Sequence, residues 1–240
     1  MSVAKLRQDQ TLLLAASAIS ILIWVVPMLR VVLTPLALLN THLHELCHAL
    51  AALVTGGSVE AIKVYSNLGG VALIQGGSLP IVAMAGYVGS SVIGGLLILV
   101  AGRKDHARQA LWILFGLLTF SMIVFVRGDM VGVVSGLAWI AILFVCAWKL
   151  PEDGAAFLAQ FLGIQQCLTS MLAFTALFNV SLGYGHSDAK IMEQATGIPD
   201  VLWAGSWFIL SVTLVWVCLA AGWKGQGKKG SRSGSGGSES

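Results

Sequence analysis

Seven times along the chain an apolar run of roughly membrane-spanning length is bounded by short polar segments, and this spacing constrains the fold more than any other feature. About 20 apolar residues in a helix cross the hydrocarbon of a bilayer. The runs Thr11–Met28, Val31–Thr55, Pro80–Ala101, Ala107–Val126, Met130–Trp148, Ala155–Val180 and Val201–Trp223 are of that order. Of the 240 residues, 57% are hydrophobic and 10% are charged, against roughly 25% charged in a soluble globular domain. No soluble core hides that much apolar surface, so a soluble enzyme, a disordered chain and a secreted disulfide scaffold are excluded. A net charge of +3, spread along the chain, gives no footprint for nucleic acid. Cys47, Cys146, Cys167 and Cys218 are far apart and show neither zinc-knuckle nor disulfide-framework spacing. The expected fold class is an all-α polytopic membrane protein with about six or seven transmembrane helical segments. One membrane-embedded domain is expected over 1–223, and the Gly/Ser/Lys tail 224–240 is expected to be disordered. The first run follows Lys5 and Arg7 as a signal peptide would, but no small-residue cleavage site follows it, so it reads as a retained span.

Between the second and third runs the pattern changes. Val59-Glu60-Ala61-Ile62-Lys63-Val64-Tyr65 is β-branched and preceded by Gly56-Gly57, Ser66 to Gly70 is turn chemistry, and Val71-Ala72-Leu73-Ile74 follows. This predicts a β-hairpin over about 58–75, which must be covered by protein or lie at the interface because bare strand edges cannot face lipid. Arg103, Lys104, Arg108, Lys149 and the lysines and arginine of the tail fall on one side if runs three to seven each cross. The positive-inside rule makes that side cytoplasmic. The amino terminus stays open: Lys5 and Arg7 favour the inside, which requires the second run to enter and leave by one face. Trp24, Trp112, Trp148, Trp203 and Trp223 sit near run ends, as interfacial anchors do.

The second run carries the chemistry. It contains His44-Glu45-Leu46-Cys47-His48, and on a helix positions i and i+4 share a face. His44 and His48 can aim two imidazoles at one metal ion, while Glu45 lies about 100° around, within reach of a water but not placed as a ligand. Zinc suits nitrogen and oxygen ligands in a tetrahedron, and with one such ion per chain activating water, Glu45 can take the water's proton and pass it to a leaving amine. That chemistry is peptide-bond hydrolysis. Ionisable residues at membrane depth are costly and mark function by default. His42 points away from His44 on the wheel and reads as a supporting or interfacial residue. The third ligand is expected to be Asp188, in the polar loop Gly185-His186-Ser187-Asp188-Ala189-Lys190, where it could equally open a short helix ending near Gly197. Asp129, Asp153 and His186 remain alternatives.

At these residues the chain resembles the site-2 protease-like intramembrane zinc metallopeptidases, in particular their compact bacterial branch. The resemblance rests on the His44 to His48 motif, the Gly56-Gly57 turn and hairpin, Ala85-Gly86-Tyr87-Val88-Gly89, and Ser187-Asp188-Ala189, and covers roughly 35–220. It implies that two histidines and an aspartate hold zinc, that Glu45 is the catalytic base, and that the substrate is a membrane protein or peptide met in the bilayer of the cell membrane. Better-known members place the aspartate in Leu-Asp-Gly or Asn-Pro-Asp-Gly; this chain has neither, and Glu152-Asp153-Gly154 is a partial likeness. Two other classes compete: a transporter or metal-handling protein with an ion path through the same cluster, and an inactive scaffold. The small residues Gly86, Gly89, Ser90, Ser91, Gly94 and Gly95 would allow a close helix contact, and the hairpin could offer an edge strand to an extended substrate.

Overall fold

The computed structural model describes residues 6–26, 28–29, 33–180 and 187–224. In order, these form α1 (Gln8–Val25), α2 (Leu33–Val54), β1 (Ser58–Val64), β2 (Gly70–Gln75), α3 (Leu79–Ala101), α4 (Lys104–Val124), α5 (Met130–Lys149), α6 (Glu152–Val180), α7 (Asp188–Thr196) and α8 (Asp200–Lys224). Each apolar run becomes a helix, and the polar insert before the last run becomes α7. Among the described residues four helical stretches, Leu79–Ala101, His106–Val124, Met130–Lys149 and Asp200–Trp223, are long and apolar enough to cross a membrane. The sequence predicts six or seven spans. The apolar part of α1, Gln8–Ile23, is shorter, and the apolar character of the continuous helix α2 is interrupted by Asn40, His42, His44, Glu45 and His48. The tail from 225, His186 and the Trp24 side chain lie outside the described residues.

Helix α3 is central and packs on α2, α4, α6 and α8. Its small residues make this possible. A Cβ added at Gly89 would meet Cys47 Sγ of α2 at 2.7 Å, one at Gly94 would meet Cys167 Sγ of α6 at 2.6 Å, and one at Gly95 would meet Cys218 Sγ of α8 at 2.6 Å. Three of the cysteines thus serve as small apolar fillers opposite glycines, and all four are free thiols. Leu43, Leu111, Leu114, Leu118 and Leu143 are almost fully buried in the main core between α2, α3, α4, α5 and α6.

The hairpin is anchored by Ile62 and Val64, both wholly buried against Leu46, Ala49, Phe125 and Val126. Its strands pair antiparallel from Ser58–Gln75 to Val64–Gly70 with an irregularity at Val59/Ala61. The outer edge of β1 is covered by the 125–127 segment: the Ile62 N–H donates to Phe125 O (2.8 Å) and the Arg127 N–H to Ile62 O (3.2 Å). Leu68 takes a left-handed φ of 69° in the turn, and Thr41 Oγ1 of α2 donates to its carbonyl at 2.8 Å.

Polar contacts define two ends of the bundle. Arg7 donates to Trp223 O (2.7 Å) and Gln8 to Asp153 Oδ2 (2.5 Å). Arg108 donates to the carbonyls of Ala147, Trp148 and Leu150 at 2.7, 2.9 and 2.8 Å, satisfying the exposed end of α5. The start of α1 therefore shares an end with Arg108, Lys149 and the last turn of α8. The hairpin, α7 and the first turns of α3, α5 and α8 lie at the other.

Candidate metal centre

Helical spacing puts His44 and His48 of α2 on one face, with Nε2 atoms 3.1 Å apart. The first turn of α7 brings Asp188 to them: Oδ2 lies 3.4 Å from His44 Nε2 and 3.3 Å from His48 Nε2. Among the described residues these three form the one His/Cys/Asp/Glu group able to hold a metal ion, with all ligand atoms within 4.8 Å of one another. Helix α7 holds Asp188 there through local chemistry. Ser187 caps it by accepting from the Lys190 N–H at 3.2 Å, and Gly197 ends it in the left-handed region at φ 73°. Ala189 and Met192 bury against Ala83, Ala204 and Trp207. Asp188 opens the short helix and also faces the histidines, so the two roles are compatible.

The triangle fits a metal. Its edges of 3.1, 3.3 and 3.4 Å bracket the ~3.3 Å separation that tetrahedral bonds of about 2.0–2.1 Å require. The tautomer also fits: His48 Nδ1–H donates to the Val82 carbonyl of α3 at 2.6 Å, which leaves the Nε2 lone pair directed at the centre. Without a metal, burial disfavours the charge on Asp188, and protonated His48 and His44 more than offset it, holding the carboxyl well below the usual carboxylate range; a cation between the rings would take over that role. Gly86 of α3 makes room, because a Cβ there would overlap Nε2 of both histidines.

Glu45 is buried at 6% exposure and stands beside the triangle without joining it. Its carboxyl group interacts electrostatically with His44, His48 and Asp188 and lies beside the backbone of Ala72 in β2. Gly70 approaches so closely that a Cβ there would lie 2.7 Å from Glu45 Oε1. The other candidates are elsewhere. His42 is wholly buried with Nε2 3.0 Å from Ser135 Oγ of α5. Asp129 caps α5, accepting from the Gly132 N–H at 2.8 Å. Asp153 bonds Gln8 at the far end of the bundle. The Val82 carbonyl, Gly70 and Tyr87 also lie at the site, and no metal-ligand motif marks them. A backbone carbonyl leaves no trace in sequence, whereas Tyr87 directly follows a glycine in the motif Ala85 to Gly89.

A metal-competent triad thus sits on a helix-rich bundle with membrane-length apolar helices. The chain belongs to the Peptidase M50B-like family, the site-2 protease family, whose model matches residues 13–218. No curated protein and no solved structure matches it.

Proposed function

We propose that this protein is an intramembrane zinc metallopeptidase that hydrolyses peptide bonds of membrane-protein or peptide substrates within a single membrane-embedded domain, 1–223. His44, His48 and Asp188 would hold the zinc, and Glu45 would be the general base. The observation that carries this reading is the convergence of His44 Nε2, His48 Nε2 and Asp188 Oδ2 on one point. Bound there, zinc supplies Lewis acidity, lowering the pKa of a water and polarising a carbonyl. The chain does the rest. Val82 fixes the His48 tautomer, and Asp188 adds the negative charge that balances a cation. Glu45 takes the proton from the attacking water and delivers it to the leaving nitrogen as the peptide bond breaks, a role worth about 10²- to 10⁴-fold.

Strand β1 is paired on both edges, whereas β2 has no second strand partner among the described residues. A substrate segment in extended form would pair along β2, next to Glu45. Six or seven membrane-embedded segments, with α1, α2 and α6 joining the four long apolar helices, accommodate this arrangement. The end carrying Arg7, Arg108 and Lys149 would face the cytoplasm together with the tail.

The test is zinc content and cleavage of a membrane-spanning peptide by the purified full chain. Glu45→Gln should keep one zinc per chain and lose cleavage; Asp188→Ala should lose the zinc. Stoichiometric zinc in Asp188→Ala, or wild-type cleavage by Glu45→Gln, would refute the assignment.

A further inference from the structure

We propose, resting on the metallopeptidase reading above, that the Tyr87 hydroxyl is a further catalytic group, donating a hydrogen bond to the scissile carbonyl oxygen as that oxygen gains charge. Tyr87 follows Gly86, the residue that lets both imidazoles approach α3. Its ring meets His44 edge-on, with centroids 4.8 Å apart and planes at 78°. On its other side it stacks on Trp207 of α8 at 5.7 Å and 25°, within the cluster that also holds Ala83 and the α7 residues Ala189 and Met192. Three helices thus fix the phenol beside the ligand triangle, and it interacts electrostatically with both Asp188 and Glu45.

A tyrosine packed this way ordinarily spends its O–H on a partner. Here the ring contacts account for its neighbours, and no hydrogen bond among the described residues uses the hydroxyl. Nearby polar groups are already engaged: Thr41 Oγ1 with Leu68 O, His48 Nδ1 with Val82 O, and Lys190 with Glu193. The chemistry asks for a donor. The side chains assembled at the triangle, Glu45, Asp188 and the imidazole Nε2 atoms, are acceptors, and among the described residues no arginine or lysine pairs with them. Attack on the carbonyl builds negative charge on its oxygen, and an oriented neutral O–H in a dry site stabilises that charge more than it does the ground state. The phenol keeps its proton throughout, and no bond to Tyr87 forms or breaks.

Tyr87→Phe removes the hydroxyl and keeps both ring contacts. The expected result is a kcat loss of about 10²- to 10³-fold, with KM within about twofold and zinc content unchanged. A phosphinate peptide, which presents a charged tetrahedral centre, should lose affinity in the same ratio as kcat/KM. Binding of the uncleaved substrate, measured in a Glu45→Gln background, should not move. Wild-type kcat in Tyr87→Phe, zinc loss in that variant, or a matching loss of uncleaved-substrate binding would overturn the proposal. If Glu45→Gln is dead while Tyr87→Phe is wild type, only the Tyr87 role fails. If Glu45→Gln itself cleaves normally, the metallopeptidase reading fails with it.

Discussion

Gly86→Ala adds one methyl group at the point where α3 meets the two histidines, and the structure sets its consequence. The new Cβ would overlap Nε2 of both His44 and His48. Non-bonded carbon and nitrogen atoms settle ~3.5 Å apart, so the rings or the helix must retreat by about 1 Å. The ligand triangle has edges of 3.1–3.4 Å and cannot open that far while remaining a tetrahedral face. Neither ring is free to yield. His48 is tied to Val82 O at 2.6 Å, and the His44 ring already packs edge-on against Tyr87. Forcing one methyl into such packing costs about 1–3 kcal/mol, equivalent to about 5- to 150-fold in zinc affinity at 1.4 kcal/mol per decade. The assay is competition of the purified protein against a chromophoric chelator, with Gly116→Ala as control, since a Cβ at Gly116 meets nothing within 4 Å. Unchanged zinc affinity and cleavage in Gly86→Ala would show that the metal does not sit between these histidines against α3.

Three further substitutions or conditions separate the groups around the site. Asp129→Ala should lower stability by about 1 kcal/mol, because it removes the cap on α5, while zinc content stays at one per chain; loss of zinc would place Asp129 in the ligand set. Gly70→Ala should reduce kcat by about tenfold or more with zinc retained, because its Cβ would lie 2.7 Å from both Glu45 Oε1 and Thr41 Cγ2; full activity would mean that the base tolerates displacement. Lys190 holds Glu193 below its ordinary pKa through a 2.7 Å ion pair, and Glu193 also accepts from the Asp200 N–H at 3.3 Å. The depressed value means this link between α7 and α8 is complete above the unfolded glutamate range, about 4.3, and is lost as pH falls through the lower folded value. Amide exchange at 188–200 should rise across that window in the wild type, and Glu193→Gln should show the faster exchange already at neutral pH; identical profiles would remove the pair from the account.

What was legible in the sequence follows from which forces act locally. Bilayer thickness fixes run length, so every apolar run reappears as a helix, with ends moved by a few residues: Ala107 becomes Lys104 and Ala155 becomes Glu152. Hairpin and short-helix signals are likewise local. Ile62, Val64, Gly69 and Gly70 announce a turn between strands, and Ser187 and Gly197 bracket α7. The pair His44 and His48 needs only one helical turn to be seen. Sidedness of the amino terminus did not yield to charge counting, because Lys5 and Arg7 leave it dependent on how α2 enters the bundle. The long-range bond from Arg7 to Trp223 O, between residues 216 apart, groups the start of α1 with the end that carries Arg108.

Local sequence does not rank the acids, for the same reason. Asp129, Asp153 and Asp188 are the same side chain near a helix start, and that position by itself does not distinguish a ligand from a cap. The structure separates them by where each carboxylate goes. Asp129 spends an oxygen on the Gly132 N–H, Asp153 is held at the opposite end by Gln8, and Asp188 alone is carried to His44 and His48, because Ser187 has already taken the capping task on α7. A serine immediately before an aspartate at a helix start is therefore informative in a chain with so few acids. It releases the carboxylate from local hydrogen bonding and leaves it free to serve a partner far away in sequence.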